Sequence, residues 1–340
     1  MADFSVCYAS SNEYSEYTGI SILSMLKNNS QQVNSVYLLS FGISDENKNI
    51  IKEIGRQFKK EIIILDAMMI MKELVAKLHI PLFEGSYATY ARAFISMIIP
   101  SYDGLLLYVD SDTIINGSVK DLQTIDMSNY AYAGVVGMNQ YYPGSDEKYL
   151  LNGNSTYYAC GVLLYNLHNW REYGCSEMIV SFISKHQNHH FIYADQTIIN
   201  NAIPEKFARA LPLKFNYWGH IFRGKRIYYE LSRGGFYKRA EIKEAISSPI
   251  IIHYKGFVVH PWLLGNVSSL ENVYLYYKDH SPWKMKKRLS IYIDETTGEA
   301  TPEHKKRVKK AIRYAFRCAF QIKIMDCLVI LKRKIKKERY

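Results

Sequence analysis

The sequence predicts an α/β protein in which a largely parallel sheet is flanked by helices, and two observations lead to this class. Over residues 4–67, apolar strand-like segments alternate with helical segments across short links, the pattern of a Rossmann-like βαβαβ unit. Further along, the apolar run LLLYVDSDTII at 105–115 is typical of a strand buried on both faces. In such sheets, ligands bind at the carboxyl ends of the strands.

The first elements follow from hydrophobic periodicity. Strands are predicted at 4–9, 33–42 and 61–67, and helices at 20–29 and 43–58, with Ser44 as the N-cap of the second helix. No G-x-G-x-x-G follows the first strand. A dinucleotide fingerprint is therefore absent, and any nucleotide must be held in another way.

The middle of the chain is less regular. Residues 68–100 are predicted to be mostly helical, with a loop at 79–86 and a helix over 87–100 that carries Arg92. Further strands are expected at 105–115, 130–136 and 161–166. A helix is expected at 191–203. A short isoleucine-rich strand is expected to end at His253.

The run at 105–115 carries the first chemical signal, Asp110 and Asp112 with Ser111 between them. Side chains at i and i+2 of an extended chain point the same way, so the two carboxylates should converge. Two carboxylates that close repel unless a cation lies between them, and a hard divalent cation fits. The alternatives are a helix N-cap or an Asx turn, and a bare D-x-D also occurs by chance.

Other polar residues can be explained by ordinary structural roles. Arg92 is either an ordinary ion-paired arginine or a partner for phosphate or for the aspartates. Asp195, followed by Gln196, lies where it would cap the start of a helix. A lone histidine after a strand, such as His253, is more often structural than a ligand.

Composition limits the protein class. The 340 residues are 48% apolar, enough for one large domain or two smaller ones. The 29 tyrosines suit a sugar ligand, but they equally suit a tyrosine-rich core and surface. Five scattered cysteines without C-x-x-C spacing argue against a disulfide framework or a zinc site and for a reducing compartment. No signal peptide is visible at the N-terminus, so a cytoplasmic location is expected.

The net charge of +11 lies at the C-terminal end. Residues 303–340 hold 14 Lys or Arg against 3 Asp or Glu, whereas the remainder holds 29 of each sign. Apolar residues recur at helical spacing in this tail, but its longest apolar run is too short to span a bilayer. The pattern favours a helix lying on an anionic membrane. The alternatives are a basic helix docked on the body and an RNA-binding tail. The RNA-binding tail is disfavoured because aromatic residues do not interleave with the basic ones.

Several motifs that are weak one by one are specific in combination and in this order: the Asn12 turn, TYAR at 89–92, LYVDSD at 107–112, CGVLLYNLHNWR at 160–171, ADQTIIN at 194–200 and HYKG…HPW at 253–262. Over about residues 4–262 the chain resembles the family 8 glycosyltransferases, which have a GT-A fold and use UDP-sugars. Lipooligosaccharide galactosyl- and glucosyltransferases are the nearer relatives, and glycogenin is more distant. The resemblance implies a GT-A catalytic domain at 1–265 and a helical extension at 266–340 that ends in the basic tail.

The resemblance also implies roles for individual residues. A Mn²⁺ ion, with Mg²⁺ as the alternative, would be held by Asp110, Asp112 and His253, since an imidazole ligand favours a metal softer than Mg²⁺. Asp195 and Gln196 would lie near the anomeric carbon of the donor sugar. Donor binding would involve Ala9, Ser10, Asn12, Arg92, Asp110, Ser111, Asp112, Lys255, Gly256 and His260, with the first three at the uridine and the last three around the diphosphate.

The family retains the anomeric configuration, through either a double displacement or a front-face attack. The expected nucleophile position carries the amide Gln196, a poor nucleophile, which favours the front-face route. Three departures from the family pattern concern donor and sugar recognition. Ser10 replaces an aspartate, Ala159-Cys160-Gly161 replaces Asn-Ala-Gly, and His260 replaces the lysine of Lys-Pro-Trp after a longer loop.

The resulting hypothesis is a retaining hexosyltransferase that moves glucose or galactose from a UDP-sugar to a glycan, lipid-linked or on the cell surface. It would lie on the inner face of the cell membrane, held by its basic tail, and would bind no nucleic acid. The alternatives are a glycogenin-like enzyme that glycosylates a protein hydroxyl and a non-catalytic relative that binds nucleotide sugar.

Overall fold

The computed structural model describes residues 4–80, 86–137, 156–187, 191, 193–218, 236–256 and 259–289, together with seven residues between 301 and 313. Residues 138–155 and most of the basic tail lie outside the described residues. In the part of the chain that is described, no helix combines the length and apolar character needed to cross a membrane.

A seven-stranded sheet runs through the body in the order β3-β2-β1-β4-β7-β6-β8. Strands β3, β2, β1 and β4 are parallel, whereas β7 runs antiparallel to both β4 and β6. The expected α/β sheet, largely parallel, is therefore confirmed, and β7 is its antiparallel strand. The strands are β1 (Phe4–Ser11), β2 (Val36–Phe41), β3 (Ile62–Asp66), β4 (Leu105–Val109), β5 (Thr113–Ile115), β6 (Tyr132–Val136), β7 (Tyr158–Asn166), β8 (Ala208–Ala210) and β9 (Ile251–His253).

Helices cover the sheet and supply the amphipathic faces that the sequence predicts. Ser44 caps α2 by accepting a hydrogen bond from the Asn47 backbone, as expected. The helices are α1 (Ser15–Asn29), α2 (Asp45–Gln57), α3 (Met68–Leu78), α4 (Ile95–Ile98), α5 (Lys120–Gln123), α6 (Leu167–Glu172), α7 (Cys175–Lys185), α8 (Ala194–Ala202), α9 (Arg239–Ser247) and α10 (Glu271–Asp279).

The segment around Arg92 differs from its prediction. Instead of one helix over 87–100, a 3₁₀ helix at Ala88–Phe94 is followed by the single turn of α4. Tyr165 of β7 donates its hydroxyl proton to the Arg92 carbonyl oxygen, 2.8 Å away. This tertiary contact anchors the backbone of the 3₁₀ helix to the sheet beside β4.

A second, two-stranded sheet joins distant parts of the chain. Strand β5 pairs antiparallel with β9, with Thr113 opposite His253. The Tyr254 backbone N–H donates to the Asp112 carbonyl oxygen at 2.8 Å, which extends this pairing by one bond. The pairing brings the segment after residue 250 to the turn that follows β4.

The segment after residue 265 packs on the body. Lys278 of α10 forms a buried ion pair with Glu16 of α1, at 3.4 Å. Trp283 lies so close to Gly19 that a Cβ at that glycine would be 2.3 Å from the indole ring. The boundary predicted after residue 265 remains a prediction, and residues 271–283 are held against α1.

Candidate functional site

A cavity of about 620 Å³ opens at the carboxyl ends of β1 and β4. This is the edge at which ligands bind in open α/β sheets. Its walls come from β1 and the turn after it, from the 3₁₀ helix and from the β4–β5 turn. The described lining residues are Ala9, Ser10, Ser11, Glu13, Tyr14, Phe41, Met68, Ser86, Tyr87, Ala88, Thr89, Arg92, Tyr108, Asp110, Ser111 and Asp112.

Asp110 and Asp112 lie in the wall of this cavity, and His253 packs against both of them. Ligand atoms of the three lie within 4.8 Å of one another. His253 Nε2 is 3.1 Å from Asp112 Oδ1 and 3.8 Å from Asp110 Oδ2. The carboxylates converge as expected, but through the turn between β4 and β5, and a strand rather than a helix follows them. The N-cap alternative is therefore wrong.

The orientation of His253 fits a role as a metal ligand. Its Nδ1 lies 2.9 Å from Oδ1 of the buried Asn216, and an amide oxygen can only accept a hydrogen bond. In this arrangement Nδ1 donates to Asn216, and Nε2 is the ring nitrogen that faces the two carboxylates. Buried metal-ligating histidines are commonly oriented in this way by a second group. Two carboxylates and one imidazole nitrogen form a donor set that suits a divalent cation.

Gly161 makes room for this cluster. A Cβ at this position would lie 2.2 Å from His253 Cε1 and 2.8 Å from Asp110 Oδ2. The Gly161 carbonyl also accepts a hydrogen bond from the Asp110 backbone N–H, at 2.8 Å. The absence of a side chain at Gly161 therefore leaves room for His253 and Asp110.

Arg92 connects the cluster to the helix that bears Asp195 and Gln196. Its guanidinium pairs with Asp110 Oδ1 at 2.7 Å and forms a two-pronged hydrogen bond with the fully buried Asp195 carboxylate. Asp195 is thus an ion-pair partner rather than a helix cap. Burial alone would lower the pKa of Arg92, but Asp110 and Asp195 outweigh it and hold the pKa well above its ordinary value.

The Gln196 amide is held at both ends. Its Oε1 accepts a hydrogen bond from the Cys160 backbone N–H at 3.0 Å, and its Nε2 donates to the Tyr157 hydroxyl at 3.2 Å. The preceding Ala194 adopts a left-handed conformation, with φ of 46°, a strained state that tends to occur at functional sites. The amide therefore lies beside the cluster in a set orientation.

A group of hydroxyls lines the β1 side of the cavity. The buried Thr18 hydroxyl lies 2.8 Å from the hydroxyls of both Ser10 and Ser111. Ser111 in turn donates to the Ala9 carbonyl oxygen at 3.0 Å. Ala9, Ser10 and Ser111 therefore lie together, and Thr18 links them to α1.

Asn12 holds the turn after β1 rather than facing the cavity. Its Oδ1 accepts hydrogen bonds from the Ser44 backbone N–H at 2.9 Å and from the Asn47 side chain at 3.0 Å. Asn12 is not among the described residues that line the cavity, whereas Ser11 and Glu13 on either side of it are.

His260 lies on the far side of Asp112, with its Nε2 4.0 Å from Asp112 Oδ2. Its ring stacks on Trp262, and Trp262 stacks on Tyr17 of α1, with centroid distances of 4.5 and 4.1 Å. Burial opposes ionisation of Asp112, but the two histidines outweigh it and hold the pKa of that carboxyl well below its usual range. Burial also lowers the pKa of His260, against the attraction of Asp112.

Lys255 and Gly256 follow the cluster on an exposed segment. The Lys255 ammonium lies 5.8 Å from the centroid of the Tyr193 ring, and Gly256 has a positive φ of 109°. Neither is among the described residues that line the cavity. The positive φ is a conformation that glycine adopts without strain.

The site contains residues that sequence reasoning missed: Thr18, Tyr157 and Asn216. Thr18 contacts Ser10 and Ser111, Tyr157 contacts Gln196, and Asn216 contacts His253. No local pattern marks them, since their partners are 8 to 93 residues away in the sequence.

Comparisons with known proteins agree with this arrangement. The family model described as glycosyl transferase family 8 matches residues 5–264. A putative glycosyltransferase of Haemophilus influenzae is 28% identical over 62% of this chain and 62% of its own length. Glycosyltransferase GlyB of Streptococcus pneumoniae is 31% identical over 61% of this chain and 46% of its own length. The chain thus matches less than two thirds of either relative.

Two further similarities cover more of the chain. A lipopolysaccharide 1,3-galactosyltransferase of Salmonella typhimurium is 22% identical over 82% of this chain and 79% of its own length. The structure of the galactosyltransferase LgtC with donor and acceptor sugar analogs has a TM-score of 0.67 at 19% identity, over 82% of this chain and 96% of LgtC. This likeness shows the GT-A fold.

Proposed function

Because the chain belongs to glycosyltransferase family 8, we propose that it is a retaining hexosyltransferase that moves glucose or galactose from a UDP-sugar to a glycan. The observation that carries this proposal is the convergence of Asp110, Asp112 and His253 beside a cavity of about 620 Å³. The cavity is large enough for a nucleotide sugar, since small-molecule sites range from about 300 to 1,000 Å³.

Asp110, Asp112 and His253 would hold a divalent cation, for which we propose Mn²⁺. When bound, such an ion stabilises the negative charge that develops on a leaving diphosphate. Asn216 would accept the Nδ1 proton of His253, which would leave Nε2 available to the ion. Arg92 balances charge on Asp110 and Asp195 and keeps both carboxylates in place.

The contacts of Gln196 support front-face attack. An amide is a poor nucleophile, and both ends of this one are engaged by Cys160 and Tyr157. The neighbouring Asp195 is buried in its ion pair with Arg92, which lowers its nucleophilicity. Gln196 would then position the donor sugar while the acceptor hydroxyl attacks from the face that the diphosphate leaves.

A lipid-linked glycan is the proposed acceptor. The name of the Salmonella relative indicates transfer to lipopolysaccharide, and the basic residues of the 303–340 tail suit an anionic membrane. We propose a peripheral position on the inner face of the cell membrane. The domain division at residue 265 and the amphipathic tail helix belong to this proposal.

The test of the proposed activity is a screen of UDP-sugars for metal-dependent release of UDP. We expect turnover with UDP-glucose or UDP-galactose in the presence of Mn²⁺ and little after chelation. Specific UDP-sugar binding without UDP release, with or without acceptor glycans, would indicate a non-catalytic binding protein. A gain in the mass of the protein itself would indicate glycogenin-like self-glycosylation.

The role of Gln196 has its own test. Gln196→Ala should reduce turnover by about 10- to 100-fold but leave it measurable, because a positioning contact is lost rather than a nucleophile. Mass spectrometry of the wild-type enzyme during turnover checks for a covalent intermediate. A glycosyl adduct on Gln196 or Asp195 would contradict front-face attack.

Removal of the tail tests the membrane assignment. A chain cut after Pro302 should lose most of its sedimentation with anionic vesicles, since each basic residue near such a surface contributes about 1 kcal/mol. High salt should weaken binding of the full chain. The cut chain should still release UDP in solution, because every proposed site residue precedes the cut, and equal vesicle binding by both forms would contradict the assignment.

A further inference from the structure

The loop after α10, residues 284–288, is held firmly at both ends. On its N-terminal side, Trp283 is buried against Gly19, and its carbonyl oxygen accepts a hydrogen bond from the buried Lys278 ammonium at 2.7 Å. On its C-terminal side, the Leu289 backbone N–H donates to the Trp262 carbonyl oxygen at 2.9 Å. Arg288 also pairs with Glu271 of α10. The loop is therefore fixed to the body of the protein at both ends.

Between these anchors the loop presents an apolar tip among basic side chains. Met285 is 85% exposed, the largest value for a large apolar side chain among the described residues. Four of the five residues from 284 to 288 are Lys or Arg. Lys286 pairs with Glu16 and Arg288 with Glu271, while Lys284 and Lys287 extend into solvent.

We propose that the loop 284–288 is a second membrane-contacting element, which inserts Met285 among the headgroups of an anionic bilayer. This inference rests on the proposed membrane location of the enzyme. Two observations favour an anionic bilayer as the partner of this loop. The loop is basic around an apolar tip, the pattern that favours an anionic lipid interface. It also precedes the strongly basic tail at 303–340 in the sequence, separated from it by residues 289–302.

The position of the loop gives this contact a consequence for the active site. Leu289 is bonded to the backbone of Trp262, whose ring stacks on His260. His260 Nε2 is in turn 4.0 Å from Asp112. Only Leu289, Trp262 and His260 thus separate the loop from the proposed cation site, and a bilayer that holds the loop would lie near that site. The tail supplies most of the affinity, and the loop sets the orientation in which a lipid-linked acceptor reaches the cavity.

The experiment uses full-length protein and vesicles of phosphatidylglycerol and phosphatidylcholine at low salt. Lys284→Gln with Lys287→Gln should weaken binding by roughly tenfold or more, because each charge contributes about fivefold. Met285→Asp should also weaken binding, whereas Met285→Trp should strengthen it and place an indole within reach of quenching by brominated lipid. All variants should release UDP from a UDP-sugar in solution at the wild-type rate.

A matched control lies on α3, where Met69 is 62% exposed and Lys72 is also exposed. Met69→Asp and Lys72→Gln should leave vesicle binding unchanged. The inference is overturned if the loop variants bind like wild type, if the control variants lose as much affinity, or if Met285→Trp is not quenched. An equal loss of affinity for an RNA oligonucleotide would show a general polyanion site and overturn the membrane assignment. Failure of UDP release in every form would instead count against the proposed function.

Discussion

Two neighbouring pairs of carboxylates in this protein share Asp110: Asp110 and Asp195 both pair with Arg92, whereas Asp110 and Asp112 both line the cavity. Asp195 is completely buried, and Arg92 satisfies it with two hydrogen bonds. Asp110 and Asp112 keep 24% and 20% of their side chains exposed, face the cavity and lie beside the His253 imidazole. A buried charge must be paired within the protein. A pair of like charges at a cavity wall can instead be completed by a cation from outside.

The largest effect that this comparison leads us to expect follows loss of a cavity-facing charge. Asp110→Asn and Asp112→Asn should each lower transfer by about a thousandfold or more, because the charge stabilisation that a metal supplies is worth several kcal/mol. Calorimetric titration with Mn²⁺ should show that ion binding is lost. Asp45→Asn, at a 94% exposed carboxylate on α2, is the control, and wild-type turnover in both site variants would refute the metal assignment.

The buried pair should behave in the opposite way, by affecting folding first. Arg92→Met leaves Asp195 buried and unpaired, which should lower the free energy of unfolding by about 3–5 kcal/mol. Arg92→Met combined with Asp195→Leu should recover much of that stability while remaining inactive. Urea denaturation measures both. A double variant as unstable as Arg92→Met would show that the pair is not the source of the loss.

Substitution of two glycines tests whether the cluster of Asp110, Asp112 and His253 needs the space that Gly161 leaves. Gly161→Ala should weaken Mn²⁺ binding by about 100-fold, because its Cβ would displace His253 and Asp110. Gly117→Ala is the matched control, since its nearest heavy atom would be 3.5 Å away. Direct titration with Mn²⁺ compares the two, and equal affinities would mean that the cluster tolerates this crowding.

The smallest expected effect concerns the orientation of His253. Asn216→Ala removes the acceptor for Nδ1–H and should weaken Mn²⁺ binding about tenfold, in the range found for groups that orient metal ligands. Asn216→Asp retains an acceptor and should recover most of the affinity. If Asn216→Ala binds Mn²⁺ like wild type, the histidine does not depend on this hydrogen bond for its orientation.

Much of the fold could be predicted because local pattern and tertiary role agree over the first half of the sheet. Strands β1, β2 and β4 are largely apolar and buried, β3 is apolar but only partly buried, and α2 is amphipathic with Ser44 as its cap. The prediction was less accurate around Arg92, where one helix was expected and a 3₁₀ helix was found. The contact from Tyr165, 73 residues away, lies outside any local window, so periodicity could not signal it.

By itself, the sequence determined the alternation of strands and helices, the position of Asp110 and Asp112 after a buried strand, and the concentration of excess positive charge in residues 303–340. These features depend only on which residue types occur in short stretches of the sequence. The tertiary structure decided which aspartates are paired and which face the cavity, that Asn216 orients His253, and that Gly161 leaves room for both. These relations join residues far apart in the chain, and only packing of the sheet brings their atoms within bonding distance.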